Sequence, residues 1–174
     1  MDPAVLKNYA VHYKTGALIP QELLDKIKRA SNFNGGYLLT EAIEASLLDL
    51  RWHKLSATDV VKDVDAFEKE ALESTGIDIK AVPPRYRSSY FQHIWSGGYA
   101  AGYYAYQWTK MLSEDAFEWF EEHGGLTRAN GQRFRDMILS KGATTDYKSL
   151  YKSFRGRDAS IKAMLKNMTL NKKA

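Results

Sequence analysis

The sequence predicts an all-α fold, a multi-helix array that forms a single helical domain over residues 1–174. Apolar residues recur at helical spacing along most of the chain. Glycine pairs and prolines interrupt the periodic stretches, and no alternating strand pattern of convincing length or internal repeat is present. With 44% hydrophobic and 26% charged residues in 174, the chain has the composition of one globular domain.

Four helices are predicted before residue 83, about residues 3–13, 20–31, 37–54 and 58–74. Asp2 caps the first helix and Gly16 ends it. Asn34-Gly35-Gly36 separates the second from the third, and Thr58 starts the fourth. The predicted core face of the third consists of Leu38, Leu39, Ala42, Ile43, Ser46, Leu47 and Leu50, with Glu41, Glu44, Asp49 and Arg51 mostly elsewhere. The predicted stripe of the fourth is Val61, Val64, Phe67, Ala71 and Leu72.

The second half of the chain predicts a long helix and three shorter ones. Pro83-Pro84 forbids helix, and a turn or two of helix is expected over 88–93. The long helix covers about residues 99–123 and stops at Gly124-Gly125. Thr127 begins the next helix, which Gly142 ends, and Asp146 caps a third. The last is a short helix that holds Ile161, Met164 and Leu165.

An aromatic segment at residues 83–108 is the most distinctive stretch, with ten of its 26 residues aromatic or His. Tyr99, Tyr103 and Tyr106 fall at i, i+4 and i+7, so on a helix they share one face, spread over about 60°. His93 precedes the glycine pair and is placed to fold back over that face. Three phenols and one imidazole would then face a common space. The alternative is a helix packed through its aromatic rings, with the hydroxyls bonded to carbonyls or water.

The run HIWSGGYAAGYYAYQW resembles the C-terminal active-site segment of the M3 family of zinc metallopeptidases, the thimet oligopeptidase group. Four flanking motifs agree in order and spacing: NYAVHYKTG, LLDLRWH, VPPRYRSSYFQH and GGLTRANGQRFRDMILSKG. The likeness extends over about residues 3–165 and is strongest to the peptidyl-dipeptidase branch of the family. It implies the C-terminal part of a zincin-like catalytic domain, acting on peptide substrates to release C-terminal dipeptides.

The resemblance also implies a zinc ion, which these peptidases bind through an HExxH helix and a downstream Glu. None of the four histidines begins that motif: the residues after them are YKTG, KLSA, IWSG and GGLT. The zinc ligands are therefore expected in a missing N-terminal part of the same enzyme, and the isolated chain is expected to be inactive.

Site residues are assigned from the resemblance by position. His93, Tyr99 and Tyr106 would face the bound peptide as the catalytic set. His93 and Tyr106 would stabilise the oxyanion or clamp the substrate backbone, and Tyr99 would hold the leaving-group side. Tyr103 matches a family tyrosine and is placed second, as a substrate-binding residue, because its hydroxyl could equally be a packing contact.

Arg85 and Arg87 are candidates for binding the free carboxylate of the substrate, since a guanidinium offers a two-pronged donor. The alternative is ion pairing with helix carboxylates such as Asp49 or Glu41. The other histidines, His12, His53 and His123, are expected to be packed or solvent-facing. Arg133 and Arg135 are expected to serve the surface or local ion pairs.

Composition argues against other classes of protein. The net charge of +4 is modest for a nucleic-acid binder. No apolar run is long enough for a membrane span, and the start lacks the pattern of a signal peptide. The absence of cysteine fits a reducing compartment, so a cytoplasmic location is expected, with a periplasmic one left open. Lys166, Lys172 and Lys173 predict a frayed, solvated tail. The alternative function is a stand-alone helical module that binds peptides or proteins without catalysis.

Overall fold

The computed structural model describes residues 2–170, and within them it confirms the all-α prediction. Nine α-helices follow one another in this described part. They are α1 (Pro3–Leu6), α2 (Gln21–Ser31), α3 (Gly35–Trp52), α4 (Val64–Glu73), α5 (Gln92–Trp95), α6 (Ala105–Glu122), α7 (Arg128–Phe134), α8 (Tyr147–Arg155) and α9 (Lys162–Asn167). A 3₁₀ turn at Ser88–Tyr90 precedes α5, and a π turn at Arg135–Leu139 continues α7. No helix of this part is long and apolar enough to cross a membrane.

The first helix is much shorter than predicted. Asp2 caps it as expected, accepting from the backbone N–H of Ala4, but α1 ends at Leu6. The chain then turns, and an isolated antiparallel bridge joins Val11 to Leu18. The prediction of helix to residue 13 was wrong because the backbone N–H of His12 bonds across this turn to the carbonyl of Ala17.

Two helix starts also differ from the predictions. α3 begins at Gly35, two residues early, because Asn34 adopts the left-handed conformation (φ 57°) and makes the break alone. α4 begins at Val64 and is capped by Asp63, not at Thr58. Asp59 instead accepts from the backbone N–H of Ser56, at 2.7 Å, and so closes a separate turn.

Among the buried residues of α3, only Ser46 belongs to the predicted core face. The helix buries Glu44, Ala45, Ser46, Leu48 and Asp49, whereas Leu38 is 54% exposed. α4 similarly buries Glu68 beside Ala71 and Leu72, and Val64 is exposed. The apolar pattern was misleading because carboxylates that find partners inside the fold occupy the inner faces.

Glu44 is a special case among these buried carboxylates. Neither of its side-chain oxygens has a hydrogen-bond partner among the described residues. Burial raises the pKa of Glu44, and the nearby charge of Asp78 adds to this. The raised pKa favours the neutral carboxyl, which is less costly to bury.

The long helix starts late. α6 begins at Ala105 and not near Tyr99, and residues 99–104 form successive turns. Gly102 therefore lies in a turn rather than inside a helix, so the expected cost of a helical glycine does not arise. The end of α6 at Glu122, before the glycine pair, agrees with the prediction within one residue.

The later helices largely agree with the predictions. Thr127 and Asp146 cap α7 and α8 as expected. Leu139, at the end of the π turn, is 65% exposed. Lys166 lies in α9 rather than in a frayed tail. Lys172 and Lys173 lie outside the described residues.

Two compact units make up the structure. One is Asn34–Thr109, and the other is formed by the described residues on either side of it, with the boundary inside α6. The core of the first unit contains Ala45, Phe91, Ile94 and Tyr103. The core of the second contains Ala116, Trp119, Phe120 and Phe154. The single domain expected from the sequence stays a prediction.

A buried ionic network supports the second unit. The carboxylate of Asp115, with no exposed surface, accepts from Arg157 and from the hydroxyl of Tyr151, both at 2.6 Å. The guanidinium of Arg155 donates to both carboxylate oxygens of Glu122. Burial raises the pKa of Asp115, but the bonds from Arg157 and Tyr151 outweigh it and leave the pKa below its ordinary value.

Candidate functional site

The segment that leads to the aromatic residues is tied to two helices of its own unit. The backbone N–H of Arg85 donates to the carbonyl of Glu41 on α3, at 3.0 Å. Ser88 is buried, and its backbone N–H and hydroxyl donate to one oxygen of Glu68 on α4, at 2.8 and 2.9 Å. Trp52 donates to the same hydroxyl at 2.9 Å. These bonds hold the segment just before α5 in place, and so they fix the start of the helix that contains His93.

The glycine pair after α5 reverses the chain against His93. A Cβ atom on Gly97 would lie 2.9 Å from both the Cα and the carbonyl oxygen of His93, closer than such atoms approach. Gly98 has φ 82°, in the left-handed region. The backbone N–H of Tyr99 then donates back to the carbonyl of His93, at 3.0 Å. The two residues are thereby brought side by side.

Asp49 of α3 holds the turns that follow. Its side chain has no exposed surface. One carboxylate oxygen accepts from the backbone N–H of Ala101 and the other from that of Tyr103, each at 2.9 Å. Nδ1 of His53 lies 2.8 Å from the first oxygen. The turns between Gly98 and α6 are thus anchored from a distant part of the chain.

The predicted imidazole and the three predicted phenols do come together. Ring centroids of Tyr99, Tyr103 and Tyr106 lie 5.9, 5.6 and 6.5 Å from that of His93. The rings of Tyr99 and Tyr106 stack at 5.2 Å, and Tyr103 lies 5.0 Å from Tyr106. A fifth ring, that of Tyr86, lies 4.7 Å from His93.

Exposure divides these tyrosines. Tyr99 and Tyr106 are 37% and 44% exposed. Tyr103 is 5% exposed and packs edge-on against Phe91 at 4.8 Å, within the core. The structure therefore contains both exposed phenols and a packed aromatic ring, and a ligand-binding role for the exposed pair stays a prediction. We name His93, Tyr99, Tyr103 and Tyr106 the tyrosine cluster.

The protonation of the cluster suits hydrogen-bond donation. A hydrogen bond with Tyr99 is the main cause that raises the pKa of Tyr106, to about 12. Burial raises the pKa of Tyr103, and Arg85 opposes this. Both phenols consequently keep their protons at neutral pH. Nδ1 of His93 is buried without a hydrogen-bond partner among the described residues.

Arg85 and Arg87 both form ion pairs in this unit. Arg85 binds Glu41 at 2.9 Å, which is one of the pairings named as the alternative to substrate binding. Arg87 contacts the buried carboxylate of Glu68 and lies 3.5 Å from Asp65. Each side chain is about half exposed, at 50% and 44%. A role for either in binding a substrate carboxylate stays a prediction.

The described residues do not supply a zinc site. Among residues 2–170, no group of three or more His, Cys, Asp or Glu side chains is arranged to hold a metal ion. His123 bonds through Nδ1 to the carbonyl of Trp119 and stacks on its ring at 4.2 Å. His12 lies in the exposed turn after α1, with Nδ1 3.1 Å from the hydroxyl of Thr15. That the zinc ligands lie in another segment stays a prediction.

Sequence reasoning missed three residues that shape the cluster: Asp49, Glu68 and Tyr86. Asp49 and Glu68 stand on helices among other charged residues, where a carboxylate is usually solvated. Their role depends on partners 52 and 20 residues away. Tyr86, between two arginines in RYRSSY, was the one with a usable signal. An aromatic residue that precedes the predicted His by seven positions in a tyrosine-rich segment is a reasonable candidate for its neighbour.

Comparison with known proteins identifies relatives of this chain. The family model described as peptidase family M3 matches residues 1–170. Dipeptidyl carboxypeptidase of Escherichia coli (strain K12) is 53% identical over 169 residues, which cover 97% of this chain and 25% of that protein. Oligopeptidase A of the same organism is 38% identical, over 95% of this chain and 24% of that protein. Saccharolysin of Saccharomyces cerevisiae is 28% identical, over 95% and 23%. The chain thus spans about a quarter of the length of these curated relatives. On the family match and the extent of these alignments, the chain belongs to peptidase family M3.

Proposed function

We propose that this chain is the substrate-binding part of a peptidase that releases dipeptides from the carboxyl ends of peptides. The observation that carries the proposal is the convergence of His93, Tyr99 and Tyr106, three donor-bearing side chains from separate turns. Two of them are more than a third exposed. The 53% identity to a dipeptidyl carboxypeptidase supports the substrate class.

The chemistry of the tyrosine cluster fits an extended peptide. A peptide backbone offers a carbonyl acceptor at each residue, and a scissile carbonyl becomes an oxyanion in the transition state. A phenol or imidazole N–H aimed at that oxygen stabilises the charge, and losing one such donor costs about 10²–10³ in rate. Tyr106 remains a proton donor at neutral pH because its pKa is about 12.

Within this proposal the roles differ by exposure. Tyr106 and His93 donate to the reacting carbonyl or clamp the substrate backbone, and Tyr99, stacked on Tyr106, holds the leaving-group side. Tyr103 is buried and packs against Tyr106, so it would contact the substrate only through its hydroxyl. Arg85 and Arg87 would bind the substrate carboxylate by exchanging part of their present ion pairs.

The partner in this proposal is the remaining part of the same enzyme. Zinc, which the family resemblance implies, would be held there and not by the residues described. The isolated chain is then a binding surface that hydrolyses nothing.

A chimera tests the proposal. The corresponding quarter of Escherichia coli dipeptidyl carboxypeptidase is replaced by this chain, and kcat and KM for release of a C-terminal dipeptide are measured. The expected result is an active chimera in which Tyr106→Phe and His93→Ala each lower kcat about 10²–10³-fold. Tyr104→Phe is the matched control, because Tyr104 is 49% exposed and lies outside the tyrosine cluster.

Two results would contradict the proposal. Undiminished turnover in both Tyr106→Phe and His93→Ala would remove these residues from the site. A chimera that binds peptides but never cleaves them would favour the alternative, a helical binding module without catalysis.

A further inference from the structure

Asp49 is a buried carboxylate that reaches the tyrosine cluster only through the backbone. It accepts from the N–H groups of Ala101 and Tyr103, at 2.9 Å each, and contacts no ring of the cluster. We infer that Asp49 is a positioning residue of the candidate site, which it serves by holding the turns that carry the tyrosines. This inference rests on the function proposed above.

The turns need such an anchor. After the bond from the N–H of Tyr99 back to His93, the chain before α6 makes only short-range backbone bonds, such as that from the N–H of Gly102 to the carbonyl of Tyr99 at 2.8 Å. Ala101 has φ 54°, in the left-handed region, which is unfavourable for a residue with a Cβ atom. The N–H of Tyr103 is buried, and a buried N–H without an acceptor is costly. Asp49 binds the N–H of Ala101, which holds that residue in its left-handed conformation, and it supplies the acceptor for the N–H of Tyr103.

Anchoring at these two points controls the ring positions. Tyr103 is held at its N–H by Asp49 and at its ring by Phe91, 4.8 Å away. Tyr99 stands two residues before the first anchored N–H, and Tyr106 three residues after the second. Release of the anchor would let the stacked pair shift together. A misplacement of about 1 Å at a reacting site can cost about 10²-fold in rate.

His53 packs beside the carboxylate. It directly follows α3, four residues after Asp49, with Nδ1 2.8 Å from the oxygen that serves Ala101 and 2.8 Å from the backbone carbonyl of Asp49. The two backbone donors, from Ala101 and Tyr103, are the hydrogen-bond partners that offset the carboxylate's loss of water. His53 itself is packed at 26% exposure and contacts no tyrosine of the cluster.

The first test measures, in this chain, whether Asp49 protects the two backbone amides that it binds. Backbone amide exchange is measured by NMR for the wild-type chain and Asp49→Asn. The asparagine keeps one acceptor oxygen and presents N–H₂ to the other backbone donor, so Ala101 or Tyr103 is expected to exchange about tenfold faster. Asp63→Asn is the matched control, because Asp63 also accepts a backbone N–H, that of Ala66, at 3.0 Å. It should leave Ala101 and Tyr103 unchanged.

The second test measures, in the peptidase chimera, how loss of the Asp49 anchor changes catalysis. Asp49→Asn is expected to lower kcat about 10²-fold with little change in KM, since orientation and not binding is lost. Adding Ala101→Gly should recover part of kcat, because glycine adopts the left-handed conformation without an anchor. A purely structural role would lower the stability of the chain without this rescue.

Specific outcomes overturn the inference. Unchanged exchange at both amides in Asp49→Asn would do so, as would a fall in kcat no larger than that of Asp63→Asn. If Asp49→Asn does not fold, Asp49→Glu replaces it, because the longer side chain moves the carboxylate away from both backbone donors; unaltered exchange at Ala101 and Tyr103 in that variant counts equally against the inference. Asp49→Asn could speed amide exchange while Tyr106→Phe leaves the chimera fully active. That result would contradict the proposed function but not the anchoring of the turns by Asp49.

Discussion

A substitution at Gly97 tests the close approach of the glycine turn to the backbone of His93. An added Cβ would meet the Cα and the carbonyl oxygen of His93 at 2.9 Å each, and the carbonyl oxygen of Gln92 at 3.3 Å. All three are backbone atoms, so no side-chain rotation can relieve the overlap. Gly97→Ala must therefore displace α5 from the turn that follows it.

The size of the effect follows from this overlap. Forcing an extra carbon into a filled site typically costs about 1–3 kcal/mol, and here the upper half of that range is expected because backbone must move. Gly36→Ala is the matched control. Its Cβ would meet nothing within 4 Å, and it lies in α3, where alanine is favoured over glycine by about 0.5–1 kcal/mol. The two identical substitutions should therefore change stability in opposite directions.

Urea denaturation measures both variants, followed by the amide signals of residues 34–109. Gly97→Ala should lower the midpoint and Gly36→Ala should leave it unchanged or raise it. The ring signals of His93 should also shift in Gly97→Ala alone. A Gly97→Ala chain as stable as the wild type, with unshifted His93 signals, would refute the close approach on which the site geometry rests.

Two further predictions concern ionisation. The pKa of Asp115 is lowered in the fold, so its contribution to stability is complete above the unfolded-state value near 3.8 and is lost as pH falls through the folded value. Acid titration of the unfolding free energy should show this loss below about pH 4, and Asp115→Asn should abolish it; an identical acid profile in that variant would contradict the assignment. Tyr99→Phe should bring the pKa of Tyr106 down from about 12 toward 10, since the bond with Tyr99 is the main cause of the shift. Ultraviolet titration of the phenol checks this, and a Tyr106 pKa that stays near 12 would show that Tyr99 is not the cause.

Local signals in the sequence predicted much of the helical framework. Asp146 and Thr127 cap helices where the pattern indicated, and α2 runs over nearly its predicted span. These features depend on neighbours a few residues away, so a single sequence contains the information. The identity of the candidate site also came from the sequence, because the order of residues around the glycine pair is specific.

The sequence predicted that the three tyrosines of the cluster lie close together, but the structure shows a different physical reason for it. Tyr99, Tyr103 and Tyr106 were expected to meet because they share a helix face, but α6 begins only at Ala105. They meet because Gly97 permits a tight reversal onto His93 and because the following turns are anchored. The prediction that these rings lie close together therefore holds, but the shared helix face is not the reason.

The sequence by itself determined which residues could form helices, where most of the helices stop, and which phenols and imidazole come together. Only the tertiary structure decided which carboxylates are buried and what they hold in place. The physical reason is that a buried charge is tolerated where donors surround it, and the donors to Asp49 lie 52 and 54 residues along the chain. No local pattern contains a partner at that distance, so the helical periodicity of α3 placed Asp49 off the core face, whereas its carboxylate is buried and accepts from the turns of the candidate site.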